Sequence, residues 1–118
     1  MESHPDPADI VIVLITWPAG TDPNAIAVPL VERDLAACVN VLPEMRSFYK
    51  WHGRVNDDAE RQVILKTTRA RLSEVEDLVR EVHPYELPEF LVVPVEGGSA
   101  AYLGWVRERT SRDSRSGT

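Results

Sequence analysis

The chain has 118 residues, of which 43% are hydrophobic and 27% are charged, and its formal net charge is −6. This composition predicts one folded domain with a hydrophobic core and excludes a disordered chain. The acidic balance excludes nucleic acid as a partner, because a phosphate backbone requires a basic protein face. The longest apolar run, residues 10–15, is too short to cross a membrane.

Cysteine usage and the N-terminal composition both favour a cytoplasmic protein. Cys38 is the only cysteine, so the chain cannot form an internal disulfide or a thiolate-cage metal site. Residues 1–8 lack the basic region that opens a signal peptide. We expect residues 1–8 to form a flexible arm, residues 9–109 to form one domain and residues 110–118 to form a disordered tail.

The domain begins with a predicted strand and helix. Residues 10–15 form an unbroken apolar run rich in β-branched side chains, which predicts a strand buried on both faces and central in its sheet. Asp22 and Pro23 are typical of a helix cap followed by proline in the first turn. Pro29 conflicts with a regular helix because it removes a backbone donor, so we expect this helix to be kinked or to start late.

Three strands are predicted to follow. Residues 35–42 form the first of them, and residues 45–51 resume an alternating pattern with one face formed by Met45, Ser47, Tyr49 and Trp51. A turn over residues 52–58 then leads into a strand over residues 62–68. The last two strands are expected to form a hairpin.

Residues 72–82 carry apolar side chains at spacings of three and four, the pattern of an amphipathic helix. Ser73 and Glu76 match a capping box at its start, and Pro84 marks its end. A further strand is predicted over residues 90–95.

In that last strand Pro94 indicates a sheet edge or a strand end, and Ser99 is expected to cap a short final helix. When residues 35–42 and 45–51 are counted as one broken strand, the order is β, α, β, β, α, β. This order predicts an α+β, ferredoxin-like fold (a split βαβ) with an antiparallel sheet, two helices on one face and an extra C-terminal strand or helix. The other sheet face carries too many large apolar side chains for contact with solvent. We therefore expect a partner chain to cover it.

The loop of residues 83–89 (HPYELPE) holds reactive side chains in a stiff frame, because its two prolines restrict the backbone. His83, Glu86 and Glu89 offer a mixed nitrogen and oxygen donor set that suits Cu(II) or Zn(II). A histidine at a helix C-terminus is also stabilised by the helix dipole without any metal. The loop is therefore either a site for a divalent metal or only a helix stop.

Five segments together resemble the CutA divalent-ion tolerance family. They stand in the order and spacing of that family and comprise residues 35–43 (LAACVNVLP), 49–53 (YKWHG), 65–68 (LKTT), 83–89 (HPYELPE) and 102–106 (YLGWV). The resemblance extends over residues 10–108. It implies a ferredoxin-like protomer, a homotrimer with the architecture of PII signalling proteins, and a cytoplasmic role in tolerance of copper and other divalent metals without enzymatic activity.

The resemblance also bears on the metal ligands. His83 matches the family's His-Pro-Tyr motif, and Cys38 matches its Ala-Ala-Cys motif. Ile15 and Val82 stand where some bacterial members carry a cysteine and a second histidine. We therefore expect Cu(II) or another divalent metal to bind only weakly, and we expect no organic cofactor.

The sequence is also compatible with other functions. A PII-like signalling trimer would bind a small ligand in the lateral cleft between subunits, and the side chains expected there are Cys38, Trp51, Lys66, Tyr85 and Glu89. No Gly-rich loop precedes a helix, so nucleotide binding by that route is not expected. An enzyme using His83 and Glu89 as acid and base is the weakest interpretation, and a purely structural scaffold is also open.

Overall fold

The computed structural model describes residues 5–111. Five strands and three α-helices follow one another, with a single 3-10 turn before the second helix. In chain order they are β1 Ile10–Pro18, α1 Asn24–Glu32, β2 Cys38–Val41, β3 Met45–Trp51, β4 Arg54–Thr68, the 3-10 turn Arg69–Arg71, α2 Leu72–Val82, β5 Leu91–Pro94 and α3 Ala100–Arg109.

The strands form one antiparallel sheet in the order β2-β4-β1-β5, and β3 pairs with the outer part of β4. Strand β1 is central as predicted, because Val13 faces Leu65 of β4 on one side and Val92 of β5 on the other. The predicted burial on both faces is wrong for the single chain, because Ile12 and Leu14 on the second face are only partly buried. Strand β4 lies between β1 and β2, so the βαβ unit is split. The predicted ferredoxin-like fold is confirmed.

Strand alternation decides where the core lies. In β1 the odd-numbered residues from Val11 to Trp17 are fully buried, and they face the same side as Val63 and Leu65 of β4. Helices α1 and α2 close this side with the apolar side chains of Ile26, Leu30, Val75, Leu78 and Val79. Each such burial contributes about 1.5–3 kcal/mol relative to exposure.

The opposite sheet face has no comparable cover. Ile12, Leu14 and Ile64 are only partly buried there, and Leu91 on β5 is 54% exposed. The third helix, α3, reaches only one end of this face, where Thr68 Oγ1 lies 3.4 Å from Thr110 Oγ1. We call the remainder, formed by the even-numbered residues of β1 and β4 with their neighbours on β2 and β5, the open face.

The hairpin is confirmed, but its predicted turn is wrong. Residues 54–58 belong to β4, so the turn contains only His52 and Gly53, whose φ angles are +53° and +74°. Gly53 suits such a turn because it has no Cβ to clash at positive φ. Residues 54–58 pair with β3 in a two-stranded ribbon, the β3–β4 ribbon. These polar residues form a strand that buries neither face, and for that reason their composition predicts a turn.

Strand β2 is shorter than the predicted residues 35–42. Leu35 and Ala36 are buried beside α1, and their backbone N–H groups both donate to the carbonyl of Leu30. They therefore close the helix end instead of pairing in the sheet. Asp34 has a φ of +57° at the same bend.

Helix α1 includes Pro29 but begins five residues before it, so the expected late start is wrong. The Asp22 carboxylate accepts from the N–H of Asn24 at 2.9 Å, although the cap residue itself is Pro23. The predicted capping box on α2 is also wrong. Because the 3-10 turn continues directly into α2, that helix begins at Leu72 and Ser73 lies within it.

The other helix ends agree with the sequence. Helix α2 ends at Val82, and His83 is extended, with φ of −72° and ψ of 134°. Ser99 caps α3 as predicted, since its hydroxyl accepts from the N–H of Tyr102 at 3.2 Å. None of the helices in the range 5–111 is both long enough and apolar enough to span a bilayer.

Parts of the predicted arm and tail can be placed. Residues 1–4 and 112–118 lie outside the described residues. The carbonyls of Pro7 and Ala8 accept hydrogen bonds from Ala70 N and Arg107 Nε. Thr110 is buried, and its carbonyl accepts from Arg71 Nε at 2.7 Å. Both ends of the described chain are thus joined to the domain.

Candidate functional site

His83 fixes the start of the loop of residues 83–89, which lies between α2 and β5. The side chain is 8% exposed, and its Nε2 lies 2.7 Å from the carbonyl oxygen of Thr16 on β1. Its Nδ1 accepts from the backbone N–H of Tyr85 at 3.0 Å. Since Nδ1 is an acceptor, the ring proton is on Nε2 and donates to Thr16. Both nitrogens of a neutral imidazole are therefore in use.

Two aromatic neighbours hold this ring in place. The Trp17 ring contacts the His83 ring edge-on, with the two centroids 5.0 Å apart. The Tyr85 ring is tilted against the His83 ring, with the centroids 4.9 Å apart. Such contacts contribute about 0.5–1.5 kcal/mol beyond the area they bury. His83 thus joins the end of α2 to β1 and positions the loop.

Tyr85 connects the loop to β4. Its hydroxyl donates to Glu60 Oε2 at 2.8 Å, and Glu60 is only 5% exposed. Burial, together with the hydrogen bond to the Glu60 carboxylate, raises the pKa of Tyr85 well above its ordinary value. The phenol therefore stays protonated and donates to Glu60 at neutral pH.

A second tyrosine and carboxylate stand next to this pair on the β3–β4 ribbon. The Tyr49 hydroxyl donates to Asp58 across the two strands. That hydrogen bond raises the pKa of Tyr49. At the far end of the loop, Glu89 accepts from Gln62 Nε2 at 3.0 Å, and the same amide lies 2.9 Å from the Ile15 carbonyl. Both ends of the loop are thus tied to the central strands.

A cleft of about 740 Å³ lies between the loop and the β3–β4 ribbon. It is lined by three carboxylates, four aromatic rings and no lysine, arginine or histidine, the residues being Thr16, Ser47, Phe48, Tyr49, Trp51, Glu60, Pro84, Tyr85, Glu86, Leu87, Pro88 and Glu89. A concave surface with this composition attracts cations and repels anions.

The predicted cleft residues separate into two groups. Trp51, Tyr85 and Glu89 line the same cleft. Cys38 and Lys66 face each other across β2 and β4, and the Lys66 ammonium donates to the side chain of Asn40. Lys66 lies six residues beyond Glu60 on β4, which is about 20 Å along an extended strand. On one protomer, Cys38 and Lys66 are therefore away from the cleft.

The predicted metal ligands are near one another but do not converge. Glu86 and Glu89 line the cleft, whereas the ring nitrogens of His83 are bonded beneath it. Within residues 5–111, no three His, Cys, Asp or Glu side chains are grouped closely enough to hold one metal ion. A metal ion can reach an imidazole nitrogen of His83 only if one of its two hydrogen bonds breaks.

Glu60 is the important site residue that sequence reasoning missed. It stands at the end of a polar stretch next to the predicted turn, where a glutamate is normally exposed. Its burial depends on pairing opposite Met45 and Pro18 and on the hydroxyl of Tyr85. The register of β3 against β4 would have placed Glu60 on the same face as Tyr49 and Trp51.

The sequence is also similar to known proteins. The family model described as CutA1 divalent ion tolerance protein matches residues 11–109. The divalent-cation tolerance protein CutA of Thermus thermophilus is 41% identical over 84% of this chain and 96% of its own length. Protein CutA of Mus musculus is 38% identical over 95% of this chain. The chain spans 63% of the mouse protein and 62% of the human one.

Solved structures agree in fold. The divalent cation tolerance protein of Thermus thermophilus superimposes with a TM-score of 0.83 at 40% identity, over 86% of this chain and 99% of that one. CutA1 from Oryza sativa gives a TM-score of 0.81 at 34% identity, over 88% of this chain and 95% of that one. Matches of this extent in both sequence and structure mean that the chain belongs to the CutA1 divalent ion tolerance protein family.

Proposed function

We propose that this chain acts in divalent-cation tolerance as a non-enzymatic homotrimer that binds Cu(II) or a similar ion weakly at the loop of residues 83–89. Its relatives from Thermus thermophilus and Pectobacterium atrosepticum are named for divalent-cation tolerance. The comparisons favour this function over the PII-like signalling alternative. The single observation that carries it is the cleft, which gathers three carboxylates without any cationic side chain.

The geometry of the loop supports weak binding. Glu86 and Glu89 supply carboxylate oxygens at the cleft, and His83 would supply a nitrogen after giving up its bond to Thr16 or to Tyr85 N–H. Each bond lost costs about 0.5–1.5 kcal/mol. A site with few ligands of mixed type discriminates poorly among Cu(II), Zn(II) and similar ions.

Binding rather than catalysis is supported by the same bonds. A general base needs a free lone pair on the substrate side, and both nitrogens of His83 are engaged with backbone groups. We further propose a cytoplasmic location, which the single cysteine supports. The compartment differs among relatives, since the Arabidopsis thaliana protein is named chloroplastic and the Archaeoglobus fulgidus structure is described as periplasmic.

Calorimetric titration with Cu(II) tests the proposal. We expect weak binding at about pH 7 and weaker binding at about pH 5.5, because protons compete with the metal for imidazole and carboxylate ligands. Glu89→Gln and His83→Ala should each reduce the affinity. Glu81→Gln makes the same charge change on the exposed face of α2 and should leave it unchanged.

The titration uses tag-free protein, and a His4→Ala variant controls for the histidine in the N-terminal arm. Binding that is unchanged in both His83→Ala and Glu89→Gln would place the metal elsewhere. Absence of Cu(II) binding in the unaltered protein would contradict the proposal.

A further inference from the structure

Arg71 is a buried guanidinium with one unsatisfied nitrogen. The residue is 2% exposed, its Nε donates to the Thr110 carbonyl at 2.7 Å, and its Nη1 donates to Glu74 at 2.8 Å. Its Nη2 is buried and has no hydrogen-bond partner among residues 5–111. Buried side-chain nitrogens are nearly always hydrogen-bonded, so such a nitrogen indicates a missing acceptor. The acceptor must be a group that the described part of the chain does not supply.

A cavity of about 420 Å³ lies at this position. Residues 7–8, the 3-10 turn and the end of α3 surround it, and both Arg71 and Thr110 belong to its wall. A guanidinium group is planar and rigid, so the bonds from Nε to Thr110 and from Nη1 to Glu74 also fix the direction of Nη2. The unsatisfied donor is therefore held in place at the cavity wall.

A second arginine adds positive charge to this cavity. Arg107 donates through Nε to the Ala8 carbonyl at 2.9 Å and forms no salt bridge within residues 5–111. Glu74 balances the charge of Arg71, whereas the charge of Arg107 is unbalanced. No aspartate or glutamate is among the described residues that line the cavity. In a chain with a net charge of −6, this lining is a local reversal of sign that suits an anion.

The described walls of the cavity come from a single protomer. It lies where α3 already covers the end of the sheet, so its described walls include no part of the open face or of the β3–β4 ribbon. Its volume falls in the range of small-molecule sites, about 300–1,000 Å³. Pro7, Ala8 and Ala70 provide an apolar wall next to the two arginines. The cavity therefore has room for an oxyanion and for a small organic group attached to it.

We infer that this cavity binds the phosphoryl group of inorganic phosphate or of a small phosphate monoester. Arg71 Nη2 and the guanidinium of Arg107 donate to the phosphoryl oxygens, which match the planar N–H forks of arginine. A phosphoryl group carries a charge of about −1.5 to −2 near pH 7. It can therefore satisfy Nη2 and balance Arg107 together, whereas a water molecule supplies an acceptor without charge. The inference does not depend on metal binding.

Calorimetric titration of the full-length, metal-free protein with glycerol 3-phosphate tests the inference. We expect saturable binding at about 0.15 M ionic strength, where exposed charges are largely screened. Arg107→Gln should weaken binding about tenfold, because it removes a charged donor from the cavity. The matched control Arg109→Gln makes the same charge change on the same helix, outside the cavity. It should change the affinity by less than about twofold.

Two comparison ligands identify the part of the probe that is recognised. Glycerol lacks the phosphoryl group and should not bind. Inorganic phosphate should bind more weakly than glycerol 3-phosphate, because it leaves the apolar wall uncovered. Equal affinity for the two phosphates would identify free phosphate as the ligand of the same site. No saturable binding of either phosphate, or equal weakening by Arg107→Gln and Arg109→Gln, would overturn the inference.

Arg71→Lys tests the buried donor. Lysine keeps the positive charge but has a single nitrogen, which cannot replace the bonds to Thr110 and Glu74 and also reach the ligand. We expect binding to weaken about tenfold, and unchanged affinity would exclude Nη2 from the site. Circular dichroism establishes that this variant folds. If it is unfolded, Arg107→Gln decides the outcome. Because no metal is present, the result is independent of the Cu(II) titration.

Discussion

His83 stands at the centre of the site because it holds the loop in place. Its ring nitrogens bond to Thr16 and to the backbone of Tyr85, and its ring packs between Trp17 and Tyr85. The loop residues that follow His83, from Pro84 to Glu89, form one wall of the cleft. At the residue scale, Tyr85 and Glu89 of this loop line the cleft together with Glu60 of β4.

Tyr85→Phe tests the bond between the loop and β4. The variant leaves the Glu60 carboxylate without its hydroxyl donor, so we expect a loss of about 1–2 kcal/mol of unfolding free energy near pH 8. The pKa of Tyr85 is raised in the folded state, so its contribution is fully present below about pH 10 and is lost as the pH rises further. Urea denaturation at several pH values measures both effects.

The difference in stability between unaltered protein and Tyr85→Phe should therefore shrink above about pH 10. Tyr49, whose pKa is also raised, is present in both proteins. A difference that stays constant up to high pH would show that the hydroxyl bond to Glu60 does not stabilise the fold.

The sequence predicts where this loop lies between a helix and a strand, but it does not predict the contacts of the loop. Residues 83–89 are correctly placed after a helix and before a strand, and Glu89, Tyr85 and Trp51 do share a cleft. The partner of His83 is a backbone carbonyl 67 residues away, and that contact exists only after the sheet has formed. Side-chain types alone therefore suggest a ligand where the structure has a structural hydrogen bond.

At the scale of elements, periodic segments are the ones the sequence predicts well. Helix α2 and strand β3 have the predicted bounds, because each carries a regular side-chain pattern. The first half of β4 is misassigned, since a two-stranded ribbon exposed on both sides needs no such pattern. The continuous path of α1 through Pro29 likewise depends on tertiary packing of Ile26 and Leu30.

Helix α3 is connected to α2 through one buried arginine. Arg71 is 2% exposed, its Nε donates to the Thr110 carbonyl at 2.7 Å, and its Nη1 contacts Glu74 at 2.8 Å. Arg71→Met keeps the length of the side chain but leaves the buried carbonyl unpaired, so we expect a loss of about 2 kcal/mol of unfolding free energy.

Arg80→Met provides the matched control, because Arg80 pairs with Glu76 and Asp77 on the exposed side of α2. Such surface pairs contribute about 0–1 kcal/mol. Chemical denaturation of both variants measures the two losses. Equal losses would mean that Arg71 does not anchor α3.

At the scale of the whole molecule, the open face is the feature that a single chain leaves unsatisfied. It carries Ile12, Leu14, Ile64 and the exposed Leu91, and the β3–β4 ribbon beside it exposes Trp51. We expect three copies of the chain to cover these surfaces. Light scattering after size exclusion should give three times the 13.3 kDa chain mass, or roughly 40 kDa.

The expected interface is mainly apolar, so high salt should not dissociate the trimer. Trp51→Ala should weaken it, because a large aromatic contact is lost. A monomeric mass at micromolar concentration would contradict the assembly. A Trp51→Ala variant that stays trimeric with unchanged thermal stability would remove Trp51 from the interface.

Anomalous diffraction from crystals soaked in Cu(II) tests most directly whether the loop of residues 83–89 is the cation site. We expect a copper peak beside Glu86 and Glu89, with the ring of His83 turned from one of its present hydrogen bonds. A peak only at another soft or imidazole ligand, such as Cys38 or His52, or no peak at a copper concentration that saturates the calorimetric signal, would contradict it.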